Sequence, residues 1–540
     1  MNRSERSQPF RPDRPPSTDA AIPSRIVLKL LKRGALLALA GLTPFSASLA
    51  AEPFDIVLKG GLAMDPETGL QAVRDIGVRD GRIAAISEAP LSGTRIIDAR
   101  GRVVAPGFVD LHSHAQNLLG GRVQAFDGVT TAMEDEVGQL PVAAAYDRAA
   151  RSGRAINYGF SSSWALARAT VLGGATPDGT AEAIPEALEK GHAATTAQAS
   201  AAQTRDILKL VGQGLDEGAV GIGLALGYMP GAGEEEVFKI SRLAAARGVP
   251  VFVHMRSTVG DFAATQEVVA DAAATGAQWH IMHVYWDSVE QRDLLEAVRA
   301  QGGRVTPETK GWFHGATYIG ATFLAPEALK AAGQKPDSII YYGRHVGSYA
   351  ELADLRARDP RAFIINLDPA TDDADLSLRT ETARRLATPG WVLASDAMPW
   401  TQAPTHYIPE QTWPLPADAW SHPRSAATYT RIIENYVGKW KLVGLMDVLR
   451  AGSYFPAREL EAAAPQFWNK GRLKVGADAD LIVFDPDRIR VRATLEQPAA
   501  LSAGMDYVLV NGQVLIAEGR LDPTTKPGRP IRREASATSR

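Results

Sequence analysis

Residues 103–114 read VVAPGFVDLHSH, the most informative stretch of the chain for its architecture. An apolar, β-branched run ends at two histidines, His112 and His114, that stand two positions apart. Alternate side chains of a strand share one face, so a strand here would turn both imidazoles the same way. Two neutral imidazoles are a ready pair of ligands for zinc or a similar metal. The alternative is that the two histidines stand together by chance on a solvent-facing strand. The preceding Pro-Gly pair and Asp110 argue against this alternative.

Two further histidines stand near the ends of later predicted strands: His254 in VPVFVHM and His283 in AQWHIMHV. Each alone is more often a buried core histidine than a ligand. Because a parallel barrel gathers the C-terminal ends of its strands at one mouth, four such histidines can meet around one ion or a pair of ions. His280 points to the other side of its strand and is assigned a structural role. Packing or surface roles are expected for His192, His314, His345, His406 and His422.

Acidic residues also fall at predicted strand ends. Asp396 ends GWVLASD, where a carboxylate can bind a metal weakly, accept a proton from water and pass it to a leaving nitrogen. A helix-capping carboxylate is the alternative. Glu134, Asp135 and Glu136 end the run GVTTAMEDE, and three clustered acids repel one another unless a cation offsets them. We predict that one of them is a ligand, favouring Glu136 over Glu134, with solvated surface acids as the alternative.

Strand-length apolar runs alternate with Ala-rich helical stretches through the middle of the chain. This alternation predicts an α/β fold, a metal-dependent (β/α)₈ barrel over residues 105–455. A segment over about 325–370 is longer than a barrel loop and is predicted to form a lid. The strand-length runs are GVTTAMED, AVGIGLAL, VPVFVHM, AQWHIMHV, RAFIINL and GWVLASD, and the lid carries Tyr341, Tyr342, Arg344 and His345.

Short alternating strands at both ends of the chain predict a second, smaller domain. Residues 52–104 and 456–540 show such strands with turn signals between them, and the second range includes a C-terminal tail. Neither part is long enough to bury a core alone. We therefore predict one small β-sandwich built from both chain ends.

Composition excludes several classes of protein. The chain has no cysteine, so any metal must bind to histidine, carboxylate and water. A formal charge of -3 gives no bulk attraction to nucleic acid. Residues 1–51 are predicted to be a signal peptide with a disordered lead, cleaved near Ala50, for export to the periplasm or beyond. Its apolar stretch of about a dozen residues is too short for the ~20 of a membrane-spanning helix.

Taken in order, the motifs resemble the amidohydrolase superfamily and, more closely, its D-aminoacylase or N-acyl-D-amino-acid deacylase group. The resemblance covers most of the mature chain and implies a metal-binding barrel with a small β-sandwich from both chain ends. The motifs that carry it are PGFVDLHSH, GVTT, GAVGIGLALGYMPGA, VFVHMR, IMHV, SDAMPW, HPRSAATYTRIIENYV, KVGADADLIVFDP and VLVNGQV.

The resemblance also implies roles for individual residues. Asp396 resembles the family's catalytic acid and base. Tyr228 of LGYMPG and Arg424 of HPR resemble the residues that hold the substrate carboxylate, a task that suits the planar fork of arginine. The implied metal ligands are His112 and His114 from the first strand, with His254 and His283 from the fifth and sixth strands.

Three departures from the family pattern affect the metal site and the substrate pocket. EDEVG stands in place of a ligating cysteine, similar to a glutamate-rich branch of N-acyl-D-glutamate deacylases, and a glutamate bridge is chemically suitable. Tyr285 stands in place of a substrate-contacting lysine. TKGWFHGAT replaces a tyrosine- and serine-containing strand and leaves Lys310, Trp312 and His314 as pocket residues without a role. The last two changes are compatible with a bulkier or aromatic substrate.

The expected activity is metal-dependent hydrolysis of a linear amide, with an N-acyl-D-amino acid as the small-molecule substrate. We expect one or two Zn²⁺ ions, although other divalent metals suit the same ligands. The predicted ligands are His112, His114, Glu136, His254, His283 and Asp396.

Two alternatives remain at this point. A cyclic-amide hydrolase, such as a hydantoinase or dihydroorotase, relies on a carboxylated lysine in strand four, and AVGIGLALGY contains no lysine. A non-catalytic periplasmic protein that binds metal or ligand is the second alternative, and Asp396 argues against it.

Overall fold

The computed structural model describes residues 53–180, 185, 192–257, 262–284, 288–367 and 375–534. The predicted signal peptide and Tyr285 lie outside these ranges. Within them, none of the helices combines the length and the apolar character needed to cross a membrane.

Eight parallel strands form the barrel that the sequence predicted. The first and eighth strands approach each other just past their ends, where Ser113 and Ala397 form a parallel bridge and the His114 N–H donates to the Ala397 carbonyl at 2.7 Å. The barrel strands are Phe108–Asp110, Val129–Gln139, Asn157–Ser163, Ile222–Ala225, Pro250–His254, Gln278–Ile281, Val305–Lys310 and Val392–Ala394.

Burial on both faces explains why these strands read as continuous runs rather than alternating ones. All eleven residues of the second barrel strand are buried, including its three acids. Helices cover the outside of the barrel; most of them share one apolar core with the strands, while Leu118–Phe126 and Leu376–Ala387 pack into a second core. The helices between successive strands are Leu118–Phe126, Val142–Ser152, Trp164–Gly173, His192–Thr196, Ala201–Asp216, Glu234–Arg247, Phe262–Thr275, Val289–Ala300 and Leu376–Ala387.

Both chain ends build the second domain, as predicted. Its nine strands belong to one sheet, in which Val104 from the N-terminal part pairs with Val483 from the C-terminal part. Their inward side chains form a separate apolar core. The strands are Phe54–Met64, Gln71–Arg79, Arg82–Ser87, Gly93–Asp98, Val103–Pro106, Leu481–Phe484, Met505–Val510, Gln513–Ala517 and Arg520–Leu521.

The C-terminal part of this domain begins later than residue 456. Helices Phe455–Leu460 and Pro465–Asn469 come first, and they bury Ala457, Leu460 and Phe467 in the core of the barrel. The sheet resumes only at Leu481. The amino-acid composition changes little between residues 455 and 480, so it does not mark the end of the barrel. The boundary between the domains depends instead on what each helix packs against.

An insertion between the seventh and eighth barrel strands forms a four-stranded antiparallel sheet with its own core. It starts at Gly315, earlier than the predicted position near 325. The run RAFIINL, predicted among the barrel strands, belongs to this sheet instead, because a short buried run has the same sequence signal in either setting. The insertion contains strands Gly315–Tyr318, Ile339–Tyr341, Arg344–His345 and Phe363–Asn366, with helices Pro326–Ala331 and Tyr349–Arg358.

The insertion is attached to barrel loops on two sides. Thr317 Oγ1 and the Tyr228 hydroxyl, which follows the fourth barrel strand, lie 2.9 Å apart, and the Tyr228 ring contacts Phe323. The Tyr342 hydroxyl donates to the carbonyl of Ala403, past the eighth strand, at 2.6 Å. The insertion therefore stands beside the strand ends that carry the predicted ligands. Arg344 and His345, in contrast, are exposed.

Candidate metal centre and active site

Asp110 fixes the backbone that presents the first pair of histidines. Its Oδ1 atom accepts from the His112 N–H at 3.3 Å and from the Ser395 N–H at 3.0 Å. This buried carboxylate therefore joins the end of the first strand to the end of the eighth. As a result, His112 and Asp396, which are far apart in the chain, are held in register at the mouth of the barrel.

The carboxylate of Glu136 lies between two pairs of imidazoles. Its Oε2 atom is 3.3 Å from His112 Nε2 and 3.2 Å from His114 Nε2. Its Oε1 atom is 2.8 Å from His254 Nδ1 and 2.7 Å from His283 Nε2. One buried carboxylate thus faces both pairs at once, which is the arrangement of a bridging ligand.

Asp396 completes the first of these groups from the eighth strand. Its Oδ1 atom lies 3.4 Å from His112 Nε2 and 3.5 Å from His114 Nε2. Arg424 Nη2 lies 2.7 Å from the same oxygen, and Lys310 Nζ donates to Oδ2 at 2.6 Å. Burial alone would raise the pKa of Asp396, but the charges of Arg424 and Lys310 outweigh it and hold that pKa well below its ordinary value.

The spacing of these atoms fits a zinc ion. Two ligand atoms that are each about 2.1 Å from a tetrahedral zinc ion lie about 3.4 Å apart. In the group of His112, His114, Glu136 and Asp396, the separations from imidazole nitrogen to carboxylate oxygen are 3.2 to 3.5 Å. His112 Nε2 is buried and makes no hydrogen bond. The spacing of these atoms therefore suits co-ligands of one cation.

The second group, Glu136 with His254 and His283, is tighter. His254 Nδ1 and His283 Nε2 lie 2.9 Å apart, and both stand at hydrogen-bonding distance from Glu136. One nitrogen or oxygen of each residue is within reach of a shared ion. The first group therefore matches the spacing of zinc ligands more closely than the second group does.

The charges of the site also favour a cation. Burial would lower the pKa of His112, but Asp396, Glu308 and Glu136 raise it well above its ordinary value. Burial would raise the pKa of Glu136, but the neighbouring imidazoles hold it well below its ordinary value. The carboxylates thus require positive charge beside them, which either protons or a divalent cation can supply. Burial lowers the pKa of His283 to about 4, so that ring is neutral and ready to bind a metal.

Two more carboxylates orient the first pair of histidines. Glu308 Oε1 lies 2.9 Å from His112 Nδ1 and also accepts from the His283 N–H at 3.0 Å. Glu134 Oε2 lies 2.8 Å from His114 Nδ1. An imidazole that donates from Nδ1 presents Nε2 to a metal, and such partners raise ligand basicity. The two glutamates of the second strand therefore have different roles. Glu134 orients His114, whereas Glu136 faces the Nε2 atoms of the first pair of histidines.

Two residues of the site have an unusual backbone. His283 and Asp396 adopt positive φ angles of 34° and 53°. Such a conformation costs a residue other than glycine about 1–3 kcal/mol and tends to occur at functional sites. Both residues lie just past the end of a barrel strand, where the chain turns to aim the side chain at the mouth.

The residues expected to hold a substrate carboxylate lie beside this centre. The ring of Tyr228 is 4.9 Å from the ring of His254. Arg424 is buried and contacts Asp396 through both its side-chain oxygen and its carbonyl oxygen. Tyr285, the third predicted contact, lies outside the described residues.

Three residues near the centre were not assigned a catalytic role from the sequence. Glu308 and Lys310 stand two apart on the seventh strand, and two charged residues in a buried run were a signal that could have identified them. His422, expected to pack or lie on the surface, is buried and accepts from the Arg424 N–H through Nδ1 at 3.0 Å. The sequence signal that could have identified His422 is its position in HPR, two residues before Arg424. His280 lies outside both ligand groups, 3.4 Å from Glu308 Oε2.

Comparisons with known proteins agree with this architecture. The model of the amidohydrolase family matches residues 95–321. An N-acyl-D-glutamate deacylase from Alcaligenes xylosoxydans xylosoxydans is 30% identical over 515 residues, which cover 90% of this chain and 98% of the relative. A D-aminoacylase from the same organism is 26% identical over 504 residues, covering 86% of this chain and 94% of the relative.

A solved structure extends the comparison to three dimensions. The N-acyl-D-glutamate deacylase from Bordetella bronchiseptica, complexed with zinc and a phosphonate mimic of the tetrahedral intermediate, matches with a TM-score of 0.67. It is 26% identical and covers 89% of this chain and 100% of its own. A D-hydantoinase structure, at 19% identity, matches with a TM-score of 0.54. The chain belongs to the amidohydrolases, within their D-aminoacylase group.

Proposed function

We propose that the protein hydrolyses the amide bond of N-acyl-D-amino acids and releases a carboxylate and the free D-amino acid. The observation that carries this proposal is the position of Glu136 between two pairs of histidines, with the carboxylate of Asp396 beside them. The two relatives named for deacylation of such substrates, and the zinc-bound deacylase structure, support it.

The residues of the centre suit one or two zinc ions. A bound zinc ion supplies two effects, because it lowers the pKa of water and polarises the amide carbonyl. His112, His114 and Asp396 would hold one ion, His254 and His283 the other, with Glu136 shared between them. Glu308 and Glu134 keep His112 and His114 turned toward the ion through their Nδ1 atoms.

Asp396 moves the proton in this proposal. Its Oδ1 atom faces the ligand nitrogens of His112 and His114, so it stands beside the attacking water. It accepts the proton of that water and then delivers it to the amide nitrogen, because an amine leaves much more readily when protonated. Asp396 is buried, which keeps bulk water from taking over this transfer.

Arg424 and Tyr228 hold the carboxylate of the substrate. Replacing Arg424 with methionine is expected to raise KM for an N-acetyl-D-amino acid about 10- to 100-fold, since a hydrogen bond to a charged group contributes about 1.5–3 kcal/mol. The methyl amide of the same substrate lacks the carboxylate, so its KM is already larger with the wild type and should change much less. Steady-state kinetics with both compounds measure the difference.

A buried arginine outside the ligand groups provides the control. Arg431 donates to the Gly311 carbonyl at 2.8 Å and stacks on Trp312. Arg431→Met should leave KM for the acid and for its amide in their wild-type ratio. An equal rise in KM for both compounds in Arg424→Met would remove Arg424 from carboxylate recognition.

A paired panel of N-acetyl-D- and N-acetyl-L-amino acids tests the proposal directly. The zinc-loaded protein should release ninhydrin-positive amine from the D series. The panel includes a hydantoin and dihydroorotate, because ring opening without cleavage of the linear amides would favour a cyclic-amide hydrolase. Binding of the linear amides without release of any amine would favour a non-catalytic binding protein.

We also propose that the protein is exported and matures in the periplasm or outside the cell. The basic RIVLKLLKRG, the apolar ALLALAGL and the SLA ending at Ala50 support this. N-terminal sequencing of protein recovered from a periplasmic fraction should begin just after Ala50. An intact N-terminus in the cytoplasmic fraction would contradict export.

A further inference from the structure

Lys310 is a buried cation with no part in the mechanism above. It ends the seventh barrel strand, and its side chain is 4% exposed. Its Nζ atom donates to Asp396 Oδ2 at 2.6 Å. We propose that Lys310 is a positioning residue that holds Asp396 through Oδ2 and thereby leaves Arg424 free to engage the substrate carboxylate. This inference rests on the proposed function and assigns a role to a residue within TKGWFHGAT, where the chain departs from its family.

The two oxygens of Asp396 have different neighbours. Oδ1 faces the Nε2 atoms of His112 and His114 and the Nη2 atom of Arg424. Oδ2 faces Lys310. A contact at Oδ2 fixes the rotation of the carboxylate about its terminal bond and so keeps Oδ1 pointing at the ligand nitrogens. The atom that moves the proton is therefore not the atom that Lys310 holds.

Arg424 cannot provide this support throughout the reaction. In the structure its guanidinium contacts both Oδ1 and the carbonyl oxygen of Asp396. Binding a substrate carboxylate through two parallel hydrogen bonds would draw at least one of those donors away. A buried carboxylate that loses a cationic partner is costly unless another remains. Lys310 is the other lysine or arginine in contact with Asp396 among the described residues.

The backbone makes Lys310 a rigid partner. Lys310 pairs in register with Ala394 of the eighth strand, two residues before Asp396. Glu308, two residues before Lys310, orients His112 from the same face of the strand. One face of the seventh strand therefore positions both a ligand histidine and the proton-transferring carboxylate.

Steady-state kinetics of Lys310→Met, Lys310→Arg, Asp396→Asn and the double variant Lys310→Met/Asp396→Asn test this role. We expect Lys310→Met to lower kcat about 100-fold, within the range of general acid-base catalysis, and also to raise KM, because Asp396 then holds Arg424 away from the substrate carboxylate. Lys310→Arg, which keeps the charge, should recover part of that loss. In the Asp396→Asn background, Lys310→Met should lower kcat no further, because residues that act together are not additive.

Two kinetic outcomes would overturn the proposal. An equal loss of kcat in the wild-type and Asp396→Asn backgrounds would show that Lys310 does not act through Asp396. A raised KM with unchanged kcat would make Lys310 a substrate-binding residue instead. The control is Lys470→Met, because Lys470 is also buried and donates to Asp480 at 2.6 Å outside the ligand groups. This variant should lose stability while the kcat of the folded protein stays at the wild-type value.

A zinc titration gives a second measurement that needs no turnover. Removing a positive charge beside a ligand carboxylate should let the chelator-treated Lys310→Met protein bind zinc about tenfold more tightly. Lys310→Arg should bind zinc as the wild type does. Equal affinities for Lys310→Met and the wild type would contradict the contact with Asp396. If the wild type cleaves no linear amide, the proposed function fails, and this titration still decides whether Lys310 acts on Asp396.

Discussion

Replacing Asp396 with asparagine is expected to lower kcat about 1000-fold, since general acid-base catalysis contributes about 10²- to 10⁴-fold. Asparagine keeps the shape of the side chain but can neither accept the proton of the attacking water nor deliver it to the leaving nitrogen. The other ligands of the first group, His112, His114 and Glu136, remain in place, so zinc should stay bound. The measurement pairs kcat for an N-acetyl-D-amino acid with the zinc content of the same sample.

A buried aspartate outside the ligand groups provides the matched control. Asp127 accepts the backbone N–H groups of Thr428, Tyr429 and Thr430 at 2.7 to 2.9 Å. Asp127→Asn should lower the free energy of unfolding but leave the kcat of the folded protein unchanged. Near-wild-type turnover by zinc-loaded Asp396→Asn would remove Asp396 from the mechanism.

Removing the metal is expected to abolish turnover, and adding zinc back should restore it. Two effects, the lowered pKa of water and the polarised carbonyl, are lost together, and hydrolysis depends on both. Dialysis against a chelator, followed by titration with Zn²⁺ under assay, measures the recovery. Magnesium should restore far less activity, because the histidine nitrogens of this site suit zinc and other borderline metals better than magnesium.

Replacing Glu136 tests whether the metal requirement depends on the geometry of the site. Its two oxygens face different pairs of histidines, so Glu136→Ala removes a ligand from both groups at once. This variant should need much more zinc than the wild type to regain any turnover. Full activity of chelated wild-type protein with less than about a tenth of an equivalent of zinc would contradict a metal-dependent mechanism.

Much of the site could be predicted because its residues occupy strand ends. His112, His114, His254, His283 and Asp396 each close an apolar run, and the structure brings all five side chains to one mouth. A parallel barrel guarantees this convergence once the strands are recognised. The alternation of strands and helices, and the short strands at both chain ends, likewise predicted the barrel and the second domain.

Other features could not be predicted because they depend on partners far away in the chain. The run RAFIINL has the same apolar pattern as a barrel strand, yet its partners are the antiparallel strands of the insertion. Glu308 stands out as a charged residue in a buried run, but only the fold shows that its partner is His112 Nδ1, 2.9 Å away. The contact between Lys310 and Asp396 joins residues 86 positions apart.

The order of residues was enough to predict most barrel strands and the residues at their ends, because hydrophobic pattern and residue type are local properties of the chain. It therefore predicted a barrel with histidines at the ends of several strands and an acid at the end of the eighth. The folded arrangement was needed to show which carboxylate faces which imidazole. It shows that Glu136 faces both pairs of histidines while Glu134 orients His114, and that Lys310 and Arg424 hold Asp396. Those pairings depend on strand register and on distances of about 3 Å, which arise only when segments far apart in the chain pack together.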